Sequence, residues 1–205
     1  MRLVIPANHL DPVGGLERTQ LTNCAGLAGR GHELDLVYVE PGAFSEEWRS
    51  IATTMSQVPT TLPRRAHPLR SAVDVVTAVR KVRRLEPDVV YAYRYWDLPF
   101  AVATAARRRT AVVYHLCLPP PDPVPRWLRR VLSRVDATVS VSQHTLGLWE
   151  DTGLPTRHAA VALTSVDLYG GGMVERPPAV KAMMDVVAQP SRVVRVLARG
   201  EKLDP

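Results

Sequence analysis

Short apolar, β-branched runs alternate along this chain with longer stretches whose apolar positions recur every three or four residues. Arg2 to Ile5 is the first run and reads as a buried strand, broken into a loop by Pro6 and Asp11-Pro12. Gly14 and Gly15 close that loop. Without a Cβ, their backbone can take up positive φ and approach a ligand closely. Leu16, Leu21, Cys24, Leu27 and Ala28 then keep helical spacing, Gly29 and Gly31 end the helix, and Leu34, Leu36 and Val37 restart a strand. This is one βαβ unit, with a glycine turn feeding a helix N-terminus that suits an anion.

The alternation continues. Residues 40–61 read as a variable connector with a short strand near Met55 to Thr60. Leu69, Val73, Val76, Val79 and Val82 predict a helix with a basic C-terminal end that Pro87 stops. Asp88 to Tyr93 is a strand, Arg94 to Asp97 a loop, Leu98 to Arg107 a helix, and Ala111 to Leu116 a strand. Leu118 to Pro125 holds five prolines and reads as a stiff extended loop. A helix over Arg126 to Arg134 follows, then a strand over Asp136 to Val141. Ser142 caps a helix running to Asp151, and His158 to Leu163 forms a last strand. The pattern predicts an α/β fold of the Rossmann-like kind, a parallel sheet of about six or seven strands with helices on both faces.

Composition narrows this picture. A chain of 205 residues with 46% hydrophobic content can bury a sizeable core. Cys24 and Cys117 are too few for a disulfide framework and lack metal-ligand spacing, which is the usage of a reduced, cytoplasmic protein. No run of 18 apolar residues occurs, and Leu3 to Ala7 is too short for a signal-peptide core. The net charge of +6 is concentrated: residues 64–134 hold 15 basic and 5 acidic side chains. Arg126, Arg129, Arg130 and Arg134 surround the stripe of Trp127, Leu128, Val131 and Leu132. That helix reads either as core-packed with one solvated face or as lying on an anionic membrane surface, peripheral to its inner face. No helix-turn-helix or stacking motif speaks for nucleic acid.

Two spaced motifs carry a family resemblance. Gly14-Gly15-Leu16-Glu17-Arg18, followed by Arg30-Gly31-His32-Glu33-Leu34, resembles the opening of the family 4 glycosyltransferases, retaining enzymes of the two-lobed GT-B fold. Pro87 to Ala92 and the valine-serine before the Ser142 helix resemble it too. The resemblance implies the N-terminal, acceptor-binding lobe over residues 1–167. It implies sugar transfer from a nucleotide-sugar to a hydroxyl acceptor, without metal or further cofactor. It places His115 where the family has a histidine facing the donor sugar, as the catalytic candidate. The alternative is a histidine satisfied by backbone hydrogen bonds. Gly14, Gly15, Glu17, Arg18, Tyr93, Arg94 and Tyr95 are the candidates for binding substrate and donor phosphate.

About 165 of the 205 residues carry the resemblance. Thr164-Ser165-Val166-Asp167 stands where the family has Asn-Gly-Val-Asp, Arg199 to Lys202 has the phosphate-gripping residue types in another order, and the paired glutamates of the second lobe are missing. Residues 168–205 therefore read as a linker and the truncated start of a second domain. The expected partner is a second lobe or a further copy of the chain. A non-catalytic remnant, a regulatory lobe and an anionic-surface binding module are the alternatives to transfer.

Overall fold

The computed structural model describes residues 1–62, 67–106, 110–153 and 158–162. Their seven strands are β1 (Arg2–His9), β2 (Glu33–Glu40), β3 (Thr54–Gln57), β4 (Val89–Ala92), β5 (Ala111–Leu116), β6 (Ala137–Ser140) and β7 (Ala160–Val161). All pair in parallel in the order β3-β2-β1-β4-β5-β6-β7. The strand order reverses between β1 and β4, as in doubly wound sheets. The expected fold class is the one found.

Parallel strands are covered on both faces, so their residues are apolar almost throughout. Alternate residues serve different cores. On one face, Leu3, Ile5, Leu34, Leu36 and Val89 pack with Cys24 and Leu27 of α1 (Gly15–Ala28) and with Trp48 of α2 (Ser45–Ile51). On the other, Val4, Val37, Val90, Val112 and Tyr114 pack against α3 (Pro68–Arg83), α4 (Leu98–Ala105), α5 (Arg126–Leu132) and α6 (Gln143–Asp151). Trp149 of α6 meets the Tyr114 ring edge-on and donates its indole N–H to the Leu118 carbonyl at 2.8 Å, which pins the proline-rich loop to the core. The Arg83 guanidinium donates to the Ala103 and Thr104 carbonyls and so stoppers the C-terminal end of α4.

Three local readings need correction. β1 does not stop at Pro6 but runs to His9; its ladder with β4 registers only Leu3 and Val4, so beyond Val4 the strand has a free side where proline is tolerated. The connector after β2 holds a helix, α2, anchored by the buried Trp48. The apolar positions of α3 do not all face the core, which takes Ser71, Ala78, Val79 and Val82 while Leu69, Val73 and Val76 stand exposed. The predicted cap of α6 is present, with the Thr145 N–H donating to Ser142 Oγ at 3.0 Å. The linker and truncated domain expected over residues 168–205, and the tribasic helix end at Arg107 to Arg109, lie outside the described residues.

Candidate active site at the strand-order reversal

In open α/β sheets the crevice lies outside the carboxyl ends of the strands, where the order reverses. Here that point lies between the β1–α1 loop and the β4–α4 loop. The first brings Gly14, Gly15 and Glu17, the second Tyr93 to Asp97.

Gly14 is the N-cap of α1, with φ −158 and ψ −169, an extended backbone open to any residue. The positive φ expected of the glycine pair is therefore not used. What the pair provides is space: a Cβ built on Gly15 would meet nothing within 4 Å. Glu17 Oε2 accepts the Gly14 N–H at 3.0 Å, half of a capping box, since glycine has no side chain to return the bond. Its other oxygen, Oε1, stands 3.8 Å from Arg94 Nη2, so Glu17 bridges the two loops.

Arg94 is 3% exposed, yet its Nε and Nη2 have no hydrogen-bond partner among the described residues. Those two N–H groups form one side of the guanidinium fork that grips a carboxylate or phosphate in bidentate fashion. Asp97 is completely buried at the N-cap of α4 but makes no capping bond, and neither carboxyl oxygen has a hydrogen-bond partner among the described residues. Burial pushes its pKa up to about 7, against the opposing pull of the Arg94 charge. Buried polar atoms are normally satisfied, so unpaired ones beside a crevice point to a ligand.

His115, near the end of β5, is 1% exposed and packs beside the Tyr91 and Tyr93 rings, with centroids 5.8 and 4.9 Å away. Its Nδ1 lies 2.8 Å from the Tyr91 hydroxyl, and its Nε2 has no partner among the described residues. The bond is thus to a side chain, not to backbone. Burial pushes the imidazole pKa down to about 3 and keeps the ring neutral. The Tyr93 hydroxyl has the Cys24 thiol and the Tyr91 phenol as polar neighbours. Burial raises both thiols, that of Cys117 to about 12, which fits inert residues better than nucleophiles. No group of three or more metal-ligating side chains occurs among the described residues.

The remaining candidates stand elsewhere. Arg18 is exposed, and its guanidinium lies over the ring of Phe44, the N-cap of α2, at 5.6 Å. Tyr95 stacks edge-on to Trp96 at 4.7 Å and faces Trp127 of α5 at 6.4 Å. Three residues of the crevice escaped the sequence reading. Asp97 precedes Leu98-Pro99 and looks like an ordinary helix cap, Tyr91 looks like a strand core residue, and His9 was hidden by ending β1 too early. His9 Nδ1 is also buried without a partner among the described residues.

The sequence pattern of Glycosyltransferase Family 4 matches residues 13–169. The chain belongs to this family. No curated protein sequence matches it. Among solved structures it is similar to Alr3699/HepE of Anabaena in complex with UDP and glucose, with a TM-score of 0.65 at 17% identity over 92% of this chain and 50% of that one. A glycosyltransferase of Rickettsia africae gives 0.61 at 13% identity, over 91% of this chain and 49% of that one. Sucrose-phosphate synthase of Thermosynechococcus elongatus gives 0.58 at 12%, over 82% and 49%. At such identities the likeness is one of fold. The family 4 chain spans about half the length of these structures, as one lobe of a GT-B fold does.

Proposed function

We propose that the chain is the acceptor-side lobe of a retaining glycosyltransferase that moves a sugar from a nucleotide-sugar to a hydroxyl acceptor. The lobe boundary is set at residue 167. The observation that carries this reading is the buried Arg94 fork, with two N–H groups unspent among the described residues, beside the N-terminus of α1 at the strand-order reversal. When the glycosyl bond breaks, negative charge builds on the departing diphosphate. The α1 N-terminus and the Arg94 fork are positive groups already in place to receive it, and the bare Gly14-Gly15 backbone lets it come close. Glu17 then exchanges its contact with Arg94 for solvent or an acceptor hydroxyl. His115, held neutral, serves as a hydrogen-bonding group toward the sugar through Nε2, oriented by Tyr91; neutrality suits this role better than proton transfer. Tyr93 backs the imidazole.

The nucleotide is held by a second lobe, on the same polypeptide or on a partner chain; complexes with UDP and UDP-glucose in Alr3699/HepE support that donor class. No metal or cofactor is assigned, because the positive groups named above take the place of a cation at the diphosphate.

Calorimetric titration with inorganic pyrophosphate tests the site. Wild type should bind, and Arg94→Met should lose at least about tenfold in affinity with an unchanged far-UV spectrum, as expected when a charge-assisted bidentate pair is removed. Equal affinities would overturn the assignment of Arg94. The isolated lobe should show no transfer from UDP-glucose; turnover by the lobe alone would overturn the requirement for a second one.

A further inference from the structure

β4 and β5 pair in parallel with Tyr91 opposite Val113. Side chains two positions apart on a strand share a face, so His115, two residues past Val113, leaves the sheet on the same side as Tyr91. The two tyrosines of the Tyr91-Ala92-Tyr93 run hold its ring. Tyr91 lies stacked on the imidazole at 18° and Tyr93 tilts against it at 33°. All three residues are buried to within 1% of complete, so the imidazole cannot turn over without displacing close-packed aromatic side chains. A phenol oxygen is an expensive atom to place in such a core, since phenylalanine would fill the space without a polar group to satisfy. Here the oxygen has a partner of one kind in particular, His115 Nδ1 at 2.8 Å.

Burial pushes the phenol pKa well up and the imidazole pKa down, so the hydroxyl keeps its proton and the neutral ring carries one, on either nitrogen. Two arrangements of the contact are then open. Either Nδ1–H donates to the phenol oxygen, or the phenol O–H donates to a bare Nδ1. The second joins the better acid to the better base, because a phenol gives up its proton at about pH 10 and an imidazole nitrogen takes one at about pH 6.5, whereas an imidazole N–H is a far weaker acid and a phenol oxygen a far weaker base. We infer that Tyr91 is the positioning residue that fixes the proton of His115 on Nε2: its hydroxyl donates to Nδ1 and leaves Nε2 as an N–H donor with no lone pair to offer. Nε2 is also the nitrogen without a partner among the described residues. An N–H without a lone pair cannot take a proton from a hydroxyl, so Tyr91 makes His115 a recognition group and not a general base. Such a donor asks for an oxygen lone pair on its ligand; a hydroxyl or ring oxygen of a sugar meets it, and a protonated amino group in the same place does not. That choice of ligand rests on the transfer reading, whereas the position of the proton does not.

Nitrogen-15 NMR of the chain labelled in its histidine rings reads the proton directly, at neutral pH and without reference to transfer. Couplings between ring nitrogens and ring carbon-bound protons distinguish a bare nitrogen from a protonated one. Of the six histidines, His115 is the one whose signals vanish in His115→Gln. Wild type should show Nε2 protonated and Nδ1 bare, with the Nδ1 resonance displaced as a bonded donor displaces it. Tyr91→Phe removes the oxygen alone and should shift that resonance to the position of a nitrogen without a donor, whereas Tyr93→Phe, which keeps the Tyr91 hydroxyl, should shift it less. Circular dichroism checks the fold of each variant, and should Tyr91→Phe not fold, the wild-type spectrum decides by itself. The inference is overturned if wild type carries the proton on Nδ1, if its ring is charged at neutral pH, or if a folded Tyr91→Phe leaves the Nδ1 resonance unmoved. It is also overturned if Tyr93→Phe shifts Nδ1 as much as Tyr91→Phe.

Discussion

The two edges of the sheet treat their arginines and carboxylates in opposite ways. At the amino edge, Asp35 is wholly buried but accepts from Arg2 Nε at 2.5 Å, from Arg2 Nη2 at 3.2 Å and from the Thr54 hydroxyl at 2.6 Å. Asp88 accepts the Arg2 N–H at 2.8 Å, and Asp136 accepts the Val112 N–H at 2.7 Å. At the carboxyl edge, Arg94, Asp97, His115 and His9 all keep buried polar atoms unpaired among the described residues. His32, at the amino edge, and Thr104 also keep a buried polar atom without a hydrogen-bond partner among the described residues. An arginine and carboxylates occur at both ends, so composition is not the difference. A closed network holds strands together, whereas an open one is costly and persists where a ligand completes it.

The sharpest way to break this contrast is to neutralise Asp97. Its folded-state pKa of about 7 lies above the ordinary carboxyl value of 3.8, so between those values the native state binds the extra proton and stability falls as pH rises. Asp97→Asn should therefore stabilise the chain by up to about 4 kcal/mol at pH 8, an advantage that fades toward pH 4. Urea unfolding at both pH values checks it, and an amide that destabilises at pH 8 would show that the carboxylate is satisfied after all.

His115 works in the other direction. Its pKa of about 3 lies below the ordinary 6.5, so the unfolded state takes up the extra proton and stability is lost as pH falls through that window. In wild type the two dependences oppose each other between roughly pH 4 and 6.5. His115→Gln should expose the Asp97 slope, and Asp97→Asn the His115 slope, with opposite signs in the same urea series.

At the amino edge, Asp35→Ala should cost about 2–3 kcal/mol, less than a fully buried pair because Arg2 keeps about a third of its side chain in water. Pyrophosphate binding should be unchanged. Equal losses of stability and binding would erase the distinction between the edges. Gly15→Val should have the smallest effect on stability, within about 0.5 kcal/mol, since a side chain there meets open space. It should nonetheless weaken pyrophosphate binding, and equal affinity by calorimetry would reduce the glycine pair to a turn.

Much of the fold was legible in the residues themselves. Strand identity follows from β-branched runs such as Val89-Val90 and Ala111 to Val113, and helix ends follow from local chemistry at Gly29, Pro87 and Ser142, because these signals act over a few residues. The family motif at Gly14 to Arg18 and Arg30 to Leu34 was equally local, and the match over residues 13–169 confirms it. What sequence could not supply is pairing across the chain. Glu17 and Arg94 are 77 positions apart and meet only because β4 lies beside β1. Asp97 and Tyr91 looked like a cap and a core residue until the fold buried the one without a hydrogen-bond partner among the described residues and placed the other against His115. The stripe on α3 has the spacing of a core face, and only the packing of α3 on α4 and the sheet decides that Ala78, Val79 and Val82 are buried while Leu69, Val73 and Val76 look outward. Periodicity tells that a helix has an apolar side; which side finds a neighbour is settled by the rest of the structure.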